Sequence, residues 1–143
     1  MLIGEYHHAI DSKKRLSLPA KFRKELGEKV IVTKGFEDCL VVYTSKEWEA
    51  ISSKLGNLPV SQFEARSYAR IVLGGATEAE IDKLGRILIP DYLIKYAGLK
   101  KIAVVCGLST RMEIWDEEKW EDYRNKVENE VEGFGEKLKE LGI

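Results

Sequence analysis

A nine-residue motif occurs twice in this chain, and this repetition restricts the possible fold more than any other feature of the sequence. The segment Asp11-Ser-Lys-Lys-Arg-Leu-Ser-Leu-Pro19 returns 71 residues later as Asp82-Lys-Leu-Gly-Arg-Ile-Leu-Ile-Pro90. The similarity continues beyond the motif, and the further matched pairs are Lys24 with Lys95, Gly27 with Gly98, Gly35 with Gly107, Trp48 with Trp120, and Ile51 with Tyr123. The chain therefore consists of two copies of one structural unit.

Each copy has the same order of expected secondary structure. The motif turn leads into a short alternating strand and a short helix, which opens with a proline and ends at a glycine as helix termini prefer. Two strands and a longer helix follow, and we expect Thr44 and Asp116 to cap the two longer helices. The β-branched and aromatic runs that predict the strands are Val30–Thr33, Cys39–Tyr43, Ile102–Cys106 and Arg111–Trp115.

The size of each copy decides how the two relate to one another. A unit of about 70 residues buries too little surface to be more than marginally stable alone. We therefore expect residues 1–72, the first repeat with a linker helix, and residues 73–143, the second repeat with the C-terminal helix, to form one folded unit. The expected fold class is mainly β with short helices (α+β).

The paired D-x-x-x-R turns, each followed by an apolar-x-apolar-Pro segment, resemble those of the MraZ family. The resemblance covers the chain from Met1 to about Val131. It implies two AbrB-like halves that share a pseudo-twofold, intertwined, double-psi-like β-barrel with peripheral helices. In one place the chain departs from the family pattern: the first turn has Lys14 where the family commonly has glycine, whereas the second turn keeps Gly85.

The same resemblance carries an expectation of function. Members of the MraZ family are bacterial transcriptional regulators of the cell division and cell wall gene cluster. They assemble into ring homo-oligomers and bind short direct repeats in promoter DNA. The resemblance thus implies that this chain binds double-stranded DNA and copies of itself.

The formal net charge of −1 hides a segregation of charge along the chain. The segment from Asp11 to Lys29 contains seven basic and three acidic residues. The segment from Asp82 to Lys101 contains five basic and two acidic residues. From Glu113 onward the chain contains eleven acidic and five basic residues. Both motif turns therefore lie in basic segments, as a nucleic-acid-binding surface requires.

The basic residues of the turns are the candidates for DNA contact, because a tight turn exposes its central side chains. Arginine can fork onto a phosphate or onto O6 and N7 of guanine, at about 1 to 3 kcal/mol of discrimination. Lysine acts as a point charge on phosphates and does not read sequence. We assign Arg15 and Arg86 to base or phosphate contacts, and Lys13, Lys14 and Lys83 to phosphate contacts.

The aspartate that opens each motif has a different expected role. Asp11 and Asp82 are expected to bind N–H groups of the turn or to brace the arginine four residues later. The alternative is that each Asp–Arg pair is only a salt bridge that stitches its half of the barrel together. Both roles can hold at once, since a braced arginine is also preorganised.

Other classes of function find little support in the residues. His7 and His8 are consecutive, so in a strand they point to opposite faces and cannot together chelate one metal. Cys39 and Cys106 lack metal-ligand spacing, and no nucleophile paired with a base stands out. We expect no metal, no cofactor and no enzymatic activity. The alternative that remains open is a ring-forming protein-interaction scaffold without sequence-specific DNA binding.

Hydropathy and charge bear on location and on the C-terminal region. No apolar run approaches the roughly 18 residues that a membrane crossing needs, and no secretory signal is recognisable. We expect a cytoplasmic, nucleoid-associated protein without a membrane partner. The acidic helix from Asp116 to Glu132 is expected to be solvated, the alternative being that it pairs with a basic surface of a neighbouring subunit.

Overall fold

The computed structural model describes residues 1–143 and has a mixed α+β architecture. The strands are β1 (Leu2–Ala9), β2 (Arg15–Ser17), β3 (Lys29–Lys34), β4 (Leu40–Thr44), β5 (Thr77–Glu80), β6 (Arg86–Leu88), β7 (Ile102–Ser109) and β8 (Arg111–Asp116). The α-helices are α1 (Arg23–Leu26), α2 (Ser45–Gly56), α3 (Phe63–Gly74), α4 (Asp91–Ala97), α5 (Glu117–Glu130) and α6 (Gly135–Glu140). Short 3-10 helices cover Ala20–Phe22, Phe36–Asp38 and Val131–Phe134. The expected α+β class is confirmed, with helices holding 45% of the residues and strands 31%.

Six strands form one antiparallel sheet in the order β1-β7-β8-β4-β3-β5. Exchanging each strand for its counterpart in the other repeat, β1 with β5, β3 with β7 and β4 with β8, reverses this order and preserves every neighbour relationship. The sheet therefore has the pseudo-twofold symmetry that the duplicated motif predicts. Three of its five strand pairings join one repeat to the other, so the two halves are intertwined.

The strands that carry the motif, β2 and β6, form a separate two-stranded antiparallel ribbon. Its register pairs Arg15 with Leu88, Leu16 with Ile87, and Ser17 with Arg86. Strand β2 contacts β1 at one edge of the large sheet, and β6 contacts β5 at the other edge. The ribbon thus connects the two edges of the sheet and completes the expected barrel.

One hydrophobic core fills the space between the ribbon and the sheet. Leu16 and Ile87 point into it from the ribbon and are essentially inaccessible to solvent. Phe22 and Leu93 enter it from the short helical segments of the two repeats, and Met112 enters from the sheet. Both repeats therefore contribute to one core. Because the apolar residues of each motif are buried in it, they anchor the two turns to the barrel surface.

The caps of the two longer helices differ from each other. Oγ1 of Thr44 accepts a hydrogen bond from the backbone N–H of Glu47 at 3.1 Å, so the expected cap of α2 is confirmed. The expected side-chain cap of α5 by Asp116 is wrong. Asp116 closes strand β8 and is only 3% exposed, and its carboxylate accepts instead from the backbone N–H of Lys100 at 3.3 Å. The residue therefore stands at the N-cap position of α5, but its carboxylate bonds to the chain before β7 and not to the first turn of the helix.

Helix α5 covers part of the outer face of the sheet. The rings of Trp120 and Tyr123 pack on Trp115 of β8, with centroid separations of 5.4 and 4.9 Å. The Trp and Tyr of this helix therefore serve packing within the chain. Helix α5 is the longest helix, with 14 residues, and none of the helices combines the length and apolar character of a membrane span.

Candidate nucleic-acid interface

The two motif turns lie beside each other on the outer surface of the ribbon. Arg15 is paired with Leu88, and Arg86 stands two residues before Leu88, so the two arginines are diagonal neighbours on one face. Nη1 of Arg86 lies 3.9 Å from Oδ2 of Asp11. The fold therefore brings residues from the two distant motifs into one surface.

The first turn is organised by the carboxylate of Asp11. Its Oδ1 accepts hydrogen bonds from the backbone N–H groups of Lys13 and Arg15, both at 2.9 Å. Its Oδ2 accepts from Nε of Arg15 at 2.7 Å. The backbone closes the turn through bonds of 3.0 Å from Lys14 N–H to the Asp11 carbonyl and from Asp11 N–H to the Arg15 carbonyl. One carboxylate thus fixes both the backbone and the guanidinium.

The second turn repeats this arrangement. Oδ1 of Asp82 accepts from the backbone N–H groups of Leu84 and Arg86 at 2.9 Å, and Oδ2 accepts from Nε of Arg86 at 2.8 Å. Gly85 N–H donates to the Asp82 carbonyl, also at 2.9 Å. Both expected roles of the aspartates, binding turn N–H groups and bracing the arginines, are present in each copy.

These hydrogen bonds lower the pKa of Asp11 and of Asp82. In both cases the largest cause is the hydrogen bond from the backbone N–H of the arginine four residues later. Because the folded-state pKa lies below the unfolded value, the stabilisation is complete above the ordinary carboxylate pKa and is lost only as the pH falls through the lowered value. Both carboxylates therefore stay charged, and both arginines stay braced, throughout the neutral range.

Lys14 takes the backbone conformation that glycine takes in the second turn. Its φ is 63°, and the φ of Gly85 is 79°. A side chain in this left-handed region costs roughly 1 to 2 kcal/mol, because the Cβ atom approaches the following carbonyl oxygen. Lysine in the first turn and glycine in the second therefore take the same left-handed backbone conformation. It places an additional cation at the tip of the turn at the expense of local strain.

Each turn also accepts a hydrogen bond from the residue that directly follows the motif strand of the other repeat. Leu18 N–H donates to the carbonyl of Gly85, and Ile89 N–H donates to the carbonyl of Lys14, both at 2.9 Å. These bonds are equivalent under the pseudo-twofold symmetry. They couple the positions of the two turns, so that the turns present a surface of fixed shape.

The candidate contact residues remain open to solvent. Lys13, Lys14 and Lys83 are exposed, and none of them belongs to an ion pair. The side chains of Arg15 and Arg86 are 33% and 25% exposed. Arg15 uses Nε for its aspartate, and its two Nη groups donate no hydrogen bond within the chain. Bracing by aspartate and contact with a ligand are therefore compatible in this geometry.

Arg23 belongs to the same surface and was missed by reasoning from the sequence. Its Nη2 donates to the carbonyl of Leu18 at 3.3 Å, and its guanidinium lies against Gly85 of the second turn. The only available signal was its place in the basic segment from Asp11 to Lys29. That signal does not show a contact between the two repeats.

A second cluster of titratable groups lies where β1 meets α5. Nδ1 of His7 is 2.7 Å from Oε2 of Glu117, and Nε2 of His7 is 2.9 Å from Oε1 of Glu5. These carboxylates raise the pKa of His7, with the hydrogen bond to Glu117 as the largest cause. Ligand atoms of Glu5, His7 and Glu121 lie within 4.8 Å of one another. Since carboxylates already engage both ring nitrogens, we interpret the cluster as an ion-pair network that ties β1 to α5.

The two cysteines lie away from the motif turns, Cys106 in β7 and Cys39 directly before β4. Cys39 is buried and Cys106 is half-buried, and neither forms a disulfide. Burial is the largest cause that raises the pKa of each thiol. A raised pKa keeps both thiols protonated at neutral pH, which disfavours nucleophilic or metal-binding chemistry.

Comparisons with known proteins match the duplicated organisation. The family model described as "MraZ protein, putative antitoxin-like" matches residues 1–71 and again residues 72–138. Proteins named "Transcriptional regulator MraZ" from Clostridium tetani (strain Massachusetts / E88) and Thermoanaerobacter sp. (strain X514) are each 49% identical to this chain over 143 residues. A protein of the same name from Caldicellulosiruptor saccharolyticus is also 49% identical, and each of the three alignments covers 100% of both proteins. The two matched halves and the identity along the full length show that the chain belongs to the MraZ family.

Proposed function

We propose that this chain is a sequence-specific DNA-binding transcriptional regulator of a bacterial cell division and cell wall gene cluster. The observation that carries the proposal is the pair of aspartate-braced arginines, Arg15 and Arg86, on one outward surface surrounded by unpaired lysines. The relatives named transcriptional regulators support the regulatory role. The basic character of both motif segments supports nucleic acid as the ligand.

Within this surface the residues have different tasks. Because Asp11 and Asp82 hold the Nε side of each guanidinium, Arg15 and Arg86 are preorganised to present their Nη groups to guanine edges or phosphates. The exposed lysines at positions 13, 14 and 83 contact phosphates and fix the register of the protein on the duplex.

We propose that binding requires several subunits. One chain offers about three to five phosphate contacts, and the logarithm of affinity falls by about 0.9 per neutralised phosphate for each tenfold rise in salt. A single subunit therefore binds weakly at physiological salt. In a ring homo-oligomer the turns recur at a fixed spacing, so tandem promoter repeats raise the effective concentration of each later contact.

This mechanism also bears on the organisation and location of the chain. The proposed contact surface combines turns from both repeats, so residues 1–72 and 73–143 act as one folded unit. Binding to chromosomal promoters would associate the protein with the nucleoid in the cytoplasm.

The proposal is tested by Arg15→Ala. This variant should lose retention of a promoter fragment that carries tandem repeats, while the oligomer size measured by light scattering stays unchanged. Arg70 provides a matched control, because it is exposed on α3 and has no ion-pair or hydrogen-bond partner. Arg70→Ala should bind like the parent protein. Intact binding by Arg15→Ala would contradict the proposal.

A second experiment separates the proposal from a protein-interaction scaffold. Binding to fragments with one repeat and with tandem repeats is compared at two salt concentrations. Salt-sensitive binding that prefers tandem repeats supports the regulator and its multiplicity. A ring that shows no sequence-dependent binding to DNA supports the scaffold, and a monomer contradicts the cooperative mechanism.

A further inference from the structure

The two turns differ in the side chains that they themselves contribute. At the position where the first turn has Lys14, the second turn has Gly85, which adds no charge. The space above Gly85 is nevertheless occupied. A Cβ atom built on Gly85 would overlap Nε and Cζ of Arg23, and these Arg23 atoms are its nearest neighbours. A guanidinium from the first repeat therefore lies where a side chain of the second turn would begin.

The duplicated sequence shows which of the equivalent positions carry a charge. Arg23 lies nine residues after Lys14, and Ile94 lies nine residues after Gly85. Lys14 and Arg23 of the first repeat are both cationic, whereas Gly85 and Ile94, their counterparts in the second repeat, are both uncharged. A cation therefore accompanies each turn: Lys14 belongs to the first turn itself, and Arg23 of the first repeat lies against the second turn.

The environment of Arg23 leaves its charge available. Arg23 is exposed and belongs to no ion pair, in contrast to Arg15 and Arg86. Its single hydrogen bond runs from Nη2 to the carbonyl of Leu18 at 3.3 Å. The N–H of Leu18 in turn donates to the carbonyl of Gly85 at 2.9 Å, so the residue that holds Arg23 is itself fixed to the second turn.

We propose that Arg23 is a DNA-binding residue that contacts a phosphate of the duplex beside the second turn and supplies the cation that Gly85 lacks. This inference rests on the proposed function and extends it to a residue outside both motifs. A phosphate is the appropriate ligand because it is an anion. The Leu18 carbonyl binds only Nη2 of Arg23, so the guanidinium keeps an uncompensated positive charge beside the turn.

The test measures how affinity for duplex DNA depends on salt. Each phosphate contact contributes about 0.9 to the slope of log affinity against log salt. Arg23→Gln, which removes the charge and keeps an amide that can donate to the Leu18 carbonyl, should lower the slope by about 0.9 for each bound subunit. The loss of affinity should be similar on repeat-containing and unrelated DNA. Arg70→Gln is the matched control, since Arg70 is an exposed, unpaired arginine on α3 outside both basic motif segments, and it should leave the slope unchanged.

A rescue variant distinguishes a contact from a structural role. Replacing Arg23 with Ala frees the space above Gly85, and Lys14 shows that lysine can adopt the left-handed conformation at this point of the turn. The double variant Arg23→Ala, Gly85→Lys should recover the slope that Arg23→Ala loses. Far-UV circular dichroism verifies that each variant is folded.

The outcomes separate this inference from the proposed function. If Arg23→Gln binds with the parental slope, or if the folded double variant fails to recover it, the inference is wrong while DNA binding stands. If the parent protein itself shows no sequence-dependent binding to DNA, the proposed function fails.

Discussion

Arg15 and Asp11 are joined twice, once through the backbone N–H of Arg15 to Oδ1 at 2.9 Å and once through its Nε to Oδ2 at 2.7 Å. The same carboxylate therefore determines where the strand after the turn begins and where the guanidinium points. Two fixed bonds leave the arginine little rotamer freedom to lose when it binds a ligand. The brace thereby favours affinity as well as orientation.

Removing the charge of the brace should separate specific from non-specific binding. In Asp11→Asn the amide oxygen can still accept from the turn N–H groups, but the amide nitrogen cannot accept from Nε of Arg15. We expect weaker binding to promoter repeats and slightly stronger binding to unrelated DNA, because one negative charge is lost beside the phosphates. Competition between the two DNAs measures this ratio. Asp122→Asn, an equal charge change on the exposed face of α5, should leave the ratio unaltered.

Lys14→Gly should make the protein more stable and weaken its binding to DNA. Glycine removes the backbone strain at φ 63°, but it also gives the unfolded chain more conformational freedom. As the net effect, we expect the free energy of unfolding to rise by about 0.5 to 1 kcal/mol. The variant also lacks the proposed phosphate contact of Lys14, so the salt slope should fall by about 0.9 per bound subunit. Urea unfolding and a salt titration of binding measure the two effects. A variant that is less stable than the parent would show that Lys14 makes a stabilising contact.

Stability should depend on pH through His7. Its pKa is raised by Glu117 and Glu5, with Arg124 pairing to Glu5 from the other side. Since the folded-state pKa lies above the unfolded value, this stabilisation is complete below about pH 6.5 and is lost as the pH rises through the folded value. The melting temperature of the parent should therefore fall on going from pH 6 to pH 9 by more than that of His7→Gln. If the melting temperatures of the two proteins changed with pH in parallel, His7 would not be the cause of the pH dependence.

Gly107 should not tolerate a side chain, because it faces the backbone of the edge strand β1. A Cβ atom there would lie 2.7 Å from the nitrogen of Ile3 and 2.8 Å from the carbonyl oxygen of Leu2. Gly107→Ala should lower the free energy of unfolding by about 1 to 3 kcal/mol, since β1 must shift from β7. Gly133→Ala, where no atom lies within 4 Å, is the control and should change stability by less than about 0.5 kcal/mol. Urea denaturation compares the two variants.

The parts of the site that could be predicted from the sequence are the local ones. The hydrogen bonds that the Asp11 carboxylate accepts all come from within the five residues of the turn, so the residue types and their spacing determine them. The same holds for the turn from Asp82 to Arg86. The repetition of the motif then predicts that the two turns are related by symmetry.

The parts that escaped prediction depend on contacts between the repeats. Arg23 reaches Gly85 only because the two halves are intertwined, and no spacing in the sequence encodes that contact. Strand β5 has the sequence Thr-Glu-Ala-Glu, which lacks the apolar alternation of a strand, and it forms by pairing with β3 of the first repeat. The sequence predicts Asp116 as the cap of the helix that matches α2, but its side chain is buried at the end of β8 and makes no cap hydrogen bond.

The strand order has a consequence for how the protein is synthesised. Only the hairpins β3–β4 and β7–β8 pair strands of one repeat, whereas β1, β2 and β5 find their partners in the other. A nascent chain that has emerged only as far as α3 therefore holds a single hairpin and two strands with unpaired edges. Folding of the barrel waits for β7 and β8, which makes the pairing non-local and slow. A translation product that is truncated after α3 therefore lacks the ribbon, and with it the surface that the two motif turns form together.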